Sequence, residues 1–309
     1  MLTRRAILKS IAAATLLEAK PIHQTPVSFA VPSNACDCHT HIIGDPSKFP
    51  FFPGKTYTPE PALPQEMTAL HHALHIKRVV IVTPSVYGTD NSATLYGIKT
   101  RGPTARGIAV IDDKTSEKDL DALENGGVRG IRLNLATGGQ ADAAAVRQRF
   151  TSAINRLKNR NWHLQIYTGM ATISAIKELV FTSPVPVVFD HFGGLQAALG
   201  PAQPGFADLV DLLRAGSAYV KLSGAYRAST QAPDYQDVAP FAKGFIVANP
   251  DRVLWGTDWP HPNTTPSTKV SPFLAIDDGR LFNQLAVWAP DPQHRLKILV
   301  DNPARLYGF

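Results

Sequence analysis

The sequence predicts a single (β/α)8 barrel. Its 309 residues, 44% apolar and 18% charged, suffice to bury a large core, and α/β barrels commonly reach this length undivided. Eight short runs rich in Val, Ile and Leu alternate with helix-length segments, the pattern of parallel βαβ units. A doubly wound open sheet is the alternative. It would place a glycine-rich turn after its first strand, where this chain has His39-Thr40-His41.

From the start of the chain, Thr3-Arg4-Arg5-Ala6-Ile7-Leu8-Lys9 precedes a modestly apolar run from Ile11 to Leu17 and then small residues. This reads as a twin-arginine export signal within residues 1–30, cut after Ala19 or Ala30, which would make residues 31–309 a periplasmic domain. A basic amphipathic helix is the other reading. The formal net charge is +6, and a surplus of three positive charges lies before residue 31, so the remainder is too mildly basic to suggest nucleic acid. No later stretch carries about 18 consecutive apolar residues, so no membrane span is expected after the leader. Cys36 and Cys38, two residues apart, exclude a disulfide framework.

The eight expected strands are Ala35 to Ile42, Arg78 to Thr83, Ala105 to Ile111, Val128 to Leu135, Trp162 to Thr168, Val185 to Asp190, Tyr219 to Leu222 and Val253 to Gly256. Helical patterns are clearest at Pro64 to His75, Asp142 to Asn159, Ile173 to Phe181, Phe206 to Arg214 and Tyr235 to Ala248. Between the first strand and first helix, Pro46 to Pro64 holds six prolines and four aromatics. That is an ordered loop at the barrel mouth, which either covers the barrel end or lines the substrate site.

Three strand ends carry the chemistry. On the first strand Asp37, His39 and His41 share one face by period-two alternation, so two imidazoles can converge on one point. His191 directly follows an apolar run, in Phe189-Asp190-His191-Phe192-Gly193-Gly194. Asp258 lies just past another, in Leu254-Trp255-Gly256-Thr257-Asp258-Trp259-Pro260. The bland alternatives are a polar strand surface for the histidines and a turn-capping role for the aspartate. His71, His72 and His75, on the first helix, read as an exposed polar face, and His163, at a strand start, is left out of the site.

Those segments, with Ala35-Cys36-Asp37-Cys38-His39-Thr40-His41 and the closing Asn302-Pro303-Ala304-Arg305-Leu306-Tyr307-Gly308-Phe309, resemble the amidohydrolase-related branch of the amidohydrolase superfamily. They are most similar to its 2-pyrone-4,6-dicarboxylate lactonase group, and the likeness runs from Ala35 to Phe309. The resemblance implies a TIM-barrel hydrolase in which His39, His41 and His191 polarise a lactone carbonyl while Asp258 activates water. It also implies substrate contacts from Arg132 and Arg129 in Val128-Arg129-Gly130-Ile131-Arg132, from Ser85, and from Tyr57 and Tyr167. Three residues apart on an extended strand, Arg129 and Arg132 face opposite sides, so at most one points straight inward, and Arg132 is the expected one.

Two departures matter. Arg132, Asn134 and Tyr167 stand where metal-binding superfamily members often place a lysine or glutamate and a histidine, so a binuclear centre is not expected. One divalent ion such as zinc could still be held by His39, His41, His191 and Asp258, but the resemblance favours a site that works without metal. After His191 the chain lacks the basic group that a dicarboxylate substrate would call for. The expected ligand is therefore a small lactone or carboxylate. The rival readings are a lactone isomerase or aromatic-acid decarboxylase on the same barrel, and a non-catalytic periplasmic binding protein.

Overall fold

The computed structural model describes residues 25–136 and 142–309. Its eight parallel strands are β1 (Cys36–Thr40), β2 (Arg78–Val82), β3 (Ala105–Ala109), β4 (Val128–Asn134), β5 (His163–Tyr167), β6 (Val187–Phe189), β7 (Ala218–Ser223) and β8 (Val253–Gly256). They pair in chain order. The ring closes between β8 and β1, where His41 N donates to Trp259 O at 2.8 Å and Asp258 N donates to His39 O at 2.8 Å. Each expected strand is therefore present, and the open-sheet alternative falls. The export signal expected at residues 1–30 lies almost wholly outside the described residues.

The strands are nearly all buried because both faces are covered: one by helices, the other by the residues that fill the barrel. Leu164, Ile166, Val187, Phe189, Val220 and Leu222 pack outward into the large core under the helices. Cys36, Cys38, Val80, Val82, Ile108, Val188, Tyr219 and Leu254 pack with Tyr307 as a separate cluster, the lower filling of the barrel. The chain's end seals that base. Arg106 donates to Tyr307 O and Gly308 O and stacks on the Phe309 ring.

The expected helices form, at Pro64–Ala73, Ala143–Leu157, Met170–Phe181, Phe206–Arg214 and Ala239–Ala248. Among the described residues, three more helices of nine residues or longer were not singled out: Ser92–Arg101, Glu117–Asn125 and Asp278–Trp288. Ser92–Arg101 contains Gly97 and shows little apolar periodicity, and Glu117–Asn125 is amphipathic but short, with only Leu120 and Leu123 buried on its inner face; tertiary packing holds both. Across the helix Asp278–Trp288 runs a strap formed by residues 25–31. Thr25 Oγ1 donates to Asp277 Oδ2 at 2.6 Å, Ser28 N donates to Asn283 Oδ1, and the Phe29 ring lies edge-on to Phe282.

The proline-rich loop crosses the barrel mouth. Thr58–Pro59 pairs in parallel with Val270–Ser271, tying it to the segment after β8. Of its residues, Thr56 and Tyr57 reach the pocket below, so the loop both covers and lines the site.

Candidate active site

At the carboxyl ends of the strands lies a cavity of about 230 Å³. Its wall includes His41, Tyr57, Ser85, Arg132, Tyr167, His191, Arg227 and Asp258. Asp258 occupies the centre of the floor. Its Oδ1 lies 3.4 Å from His41 Nε2, 3.7 Å from His39 Nε2 and 3.9 Å from His191 Nε2. Its other oxygen, Oδ2, accepts from Arg227 Nε and from the Tyr226 hydroxyl, each at 2.6 Å. The strand ends thus bring together the four side chains on which the sequence reading rested.

Local backbone geometry aims two of them. His191 (φ 49°) and Asp258 (φ 68°) both occupy the left-handed region, which L residues rarely adopt and which is often held at functional sites. Gly224 (φ 59°) follows β7. A Cβ there would lie 3.1 Å from Asp258 Oδ2 and 3.1 Å from His191 Nδ1, so only glycine leaves both room.

On β1 the alternation argument holds only in part. The register shifts between Asp37 and Thr40, and this bulge turns Asp37 away from the cavity. Asp37 instead accepts from Thr257 N and Oγ1 and from His39 N, and it meets His71 Nε2 at 3.2 Å. His71 is therefore fully buried rather than part of an exposed helix face. His163 packs at the barrel base against Tyr307, away from the site.

Arg132 faces the cavity, donating from Nε to Asp190 Oδ2 at 2.9 Å and stacking 4.9 Å over Tyr167. Arg129 does not join it, which corrects its assignment as a substrate contact. Its Nη1 donates to Glu124 O and Val128 O, and it borders a different cavity at the barrel base with Trp162 and His163. Position along the strand is the reason: Arg129 stands at the amino end of β4 and Arg132 near its carboxyl end. Ser85 and Tyr57 meet hydroxyl to hydroxyl at 3.5 Å on the opposite wall.

Five participants escaped the sequence reading as individual groups. Arg227 and Tyr226 follow β7 with no local signal, and Arg227 supplies the cation that the segment after His191 lacks. Lys221, Gln165 and Asp190 are fully buried inside the barrel just beneath the floor. Lys221 Nζ donates to Gln165 Oε1 at 2.6 Å, and Gln165 Nε2 donates to Asp190 Oδ2 at 2.9 Å. A lysine within an otherwise apolar strand was the one available clue, because lysine is almost never fully buried without a partner.

Burial raises the Asp258 carboxyl, but Arg227 and the surrounding imidazoles outweigh it and hold the group well below the usual carboxylate range. Asp190 behaves alike: Lys221, His39 and Arg132 outweigh its burial. Burial pushes His39 well down and His191 down to about 4, so both rings are neutral near pH 7. With Arg132, Arg227 and Lys221 against Asp190 and Asp258, the site is one charge positive before any ligand enters.

The donor set also fits one divalent cation. The ligand atoms of His39, His41 and Asp258 lie within 4.8 Å of one another, and those of His39, Asp190 and His191 form a second such group. His39 Nε2 and Asp258 Oδ1 are buried without hydrogen-bond partners. His41 Nδ1 donates to Val82 O at 2.8 Å, which leaves the Nε2 lone pair facing Asp258, as in metal-ligating histidines.

A (β/α)8 barrel with histidines at the ends of β1 and β6 and an aspartate after β8 has the architecture of a barrel hydrolase. The comparisons make this specific: residues 36–309 match the amidohydrolase family model, and the chain belongs to that family. It is 34% identical over 93% of its length to the 4-sulfomuconolactone hydrolase of Hydrogenophaga intermedia, covering 92% of that protein. It is 33% identical to the 2-pyrone-4,6-dicarboxylate hydrolase of Comamonas testosteroni, covering 90% of this chain and 92% of the relative. A crystal structure of an Agrobacterium tumefaciens protein, solved in apo form, superposes with a TM-score of 0.75 at 27% identity, covering 91% of this chain and 97% of that one.

Proposed function

We propose that the chain is a lactonase that hydrolyses, or reversibly closes, a small carboxylate-bearing lactone. The observation that carries the reading is the convergence of three imidazole nitrogens on Asp258 Oδ1, at the floor of a pocket that also presents the Arg132 and Arg227 guanidiniums. The relatives' lactone substrates support it.

Arg132 and Arg227 each offer a fork suited to a carboxylate, and the net positive site favours an anionic ligand. Tyr57, Ser85 and Tyr167 bound the space for the ring. Asp258 is ionised throughout the working range and can accept a proton from a water at Oδ1 as the water oxygen bonds to the lactone carbonyl carbon. His191 Nε2 borders the same space and can face the carbonyl oxygen, whereas the bare Nε2 of His41 has no proton to donate there. As the ring C–O bond breaks, the proton held by Asp258 passes to the departing ring oxygen, leaving a carboxylic acid and a hydroxyl group. Preset polar groups facing a developing oxyanion typically contribute on the order of 10² to 10³ in rate each.

A single divalent ion, if bound, would be held by His39, His41 and Asp258 with His191 near, and would supply Lewis-acid polarisation of the carbonyl. The steps above use the chain's own groups.

The test is Asp258→Asn. Turnover of a lactone panel, followed with a pH indicator, should vanish while circular dichroism is unchanged; retained hydrolysis would refute the role. Product analysis separates the rivals, because a decarboxylase releases carbon dioxide and an isomerase consumes no water.

We further propose that residues 1–30 direct twin-arginine export to the periplasm. The strap contacts of Thr25 and Phe29 favour cleavage after Ala19 over cleavage after Ala30.

A further inference from the structure

At the opposite end of the barrel, between the amino ends of the strands and the C-terminal segment, lies a second cavity of about 560 Å³. Its wall carries five cationic side chains, Arg129, Lys158, Arg160, Arg252 and Arg305, and no acidic one. Arg160 is neutralised from outside, by Glu117, Asp121 and Glu124 in a neighbouring depression. Among the described residues the other four form no ion pair. Asp251, beside Arg252 in the chain, is bonded to Lys297 Nζ at 2.9 Å.

Two of these cations are set in place without a counter-charge. Arg129 Nη1 donates to Val128 O at 2.7 Å and Glu124 O at 3.0 Å. Arg252 donates from Nε to Gly216 O at 2.9 Å and from Nη1 to the Tyr219 hydroxyl at 2.8 Å, and its guanidinium stacks 4.8 Å from the Tyr219 ring. Neutral acceptors of this kind fix a guanidinium but cancel none of its charge. The crowding reaches further: burial, and after it Arg129 and Arg78, lowers the pKa of the neighbouring Arg106. Trp162 gives an independent sign. It lines the same wall, is 2% exposed, and its Nε1 is buried without a hydrogen-bond partner. An indole N–H can only donate, so this wall is rich in donors and short of an acceptor.

We propose that the barrel base binds a small polyanion, a molecule with two or more phosphate or carboxylate groups, among Arg129, Lys158, Arg252 and Arg305, with the Trp162 indole as a further donor. A single negative charge would leave most of the four unpaired cations uncompensated. The cavity lies within the range usual for small-molecule sites, about 300 to 1,000 Å³. A nucleic acid duplex or an anionic membrane would instead call for a basic stripe across an open face, and beyond the leader the chain is only mildly basic. The lactone pocket opens at the other end of the barrel, so this ligand does not compete with substrate, and the proposal stands apart from the lactonase reading.

The experiment follows the Trp162 indole signal in ¹H–¹⁵N spectra of the full chain at pH 7.5 and low salt, assigned by its loss in Trp162→Phe. Inorganic pyrophosphate and benzene-1,3,5-tricarboxylate are added separately, with acetate as the single-charge control. A saturable shift is expected with at least one polyanion, half complete below about 1 mM, and none with acetate. The tighter probe tells phosphate from carboxylate recognition. Lys158→Gln/Arg305→Gln, which alters two exposed side chains, should weaken binding about tenfold or more, whereas Arg132→Met in the lactone pocket should leave it unchanged. No saturable shift with either polyanion overturns the proposal, as does an affinity unaffected by the double variant or abolished by Arg132→Met. A shift produced only by anionic phospholipid vesicles or a DNA duplex overturns it equally. If Trp162→Phe does not fold, calorimetric titration of the same probes into the wild type and the other variants decides. None of these readouts requires turnover, so a failed polyanion site and a failed lactonase assignment are told apart.

Discussion

Substituting Gly224 by alanine isolates the placement of the reacting groups from the stability of the barrel. The new Cβ would stand 3.1 Å from both Asp258 Oδ2 and His191 Nδ1, a few tenths of an ångström closer than ordinary contact. Asp258 cannot yield freely, because Oδ2 is bonded to Arg227 and Tyr226 and its backbone N–H to His39 O. The backbone cost of alanine at φ 59° is about 1 to 2 kcal/mol. A sub-ångström displacement of a reacting group is expected to lower kcat on the order of 10- to 100-fold, since a misplacement of about 1 Å can cost 10²-fold. Gly308→Ala is the matched control, with φ 67° and ψ 52° in the same left-handed region as Gly224 (ψ 52°) and nothing within 4 Å of its Cβ. Urea unfolding of the two variants should show similar losses of about 1 to 2 kcal/mol, while indicator-monitored lactone hydrolysis should fall only in Gly224→Ala. Equal kcat values in the two would refute the claim that Gly224 holds Asp258 and His191 in register.

The remaining predictions concern binding, acid stability and the strap. Arg132→Met should raise KM about 10- to 100-fold for an anionic lactone with a smaller change in kcat, reflecting a charge-assisted contact of about 1.5 to 3 kcal/mol; an unchanged KM would remove Arg132 from the binding wall. His163 is buried neutral, its pKa pushed by burial down to about 3 from 6.5, so the unfolded chain takes up a proton first. Its contribution is complete above pH 6.5 and lost as pH falls toward 3, about 2 kcal/mol by pH 5, and His163→Leu should flatten that slope in urea titrations at pH 7 and 5. Gly279→Ala would push a Cβ to 1.9 Å from Thr25 O and should release the strap, seen as faster proteolysis near Thr25 with the barrel intact. Mass spectrometry of secreted protein should find an N-terminus upstream of Thr25. Cleavage after Ala30 would contradict the structural role given to residues 25–29.

The barrel was legible because its strands are short, separated by helix-length segments and apolar on both faces, so each leaves a local mark. His39, His41, His191 and Asp258 were legible for a related reason: polar groups ending apolar runs stand out, and in this fold strand ends form the site. Arg132 was separable from Arg129 by strand alternation. Asp37 defeated the same reasoning because a bulge is a tertiary adjustment that leaves no pattern in five residues. His71 looked like surface because its partner, Asp37, is 34 residues away.

By itself the sequence determined the number and order of the strands and which strand ends would carry reactive groups, since both are periodic, local properties. Only the tertiary structure decided that Arg227 and Tyr226 grip Oδ2 of Asp258 and leave Oδ1 to the imidazoles, and that Lys221, Gln165 and Asp190 form a polar layer under His39. Those contacts join residues 25 to 182 positions apart, and their existence depends on barrel closure and on the burial that makes an unpaired charge too costly to leave alone.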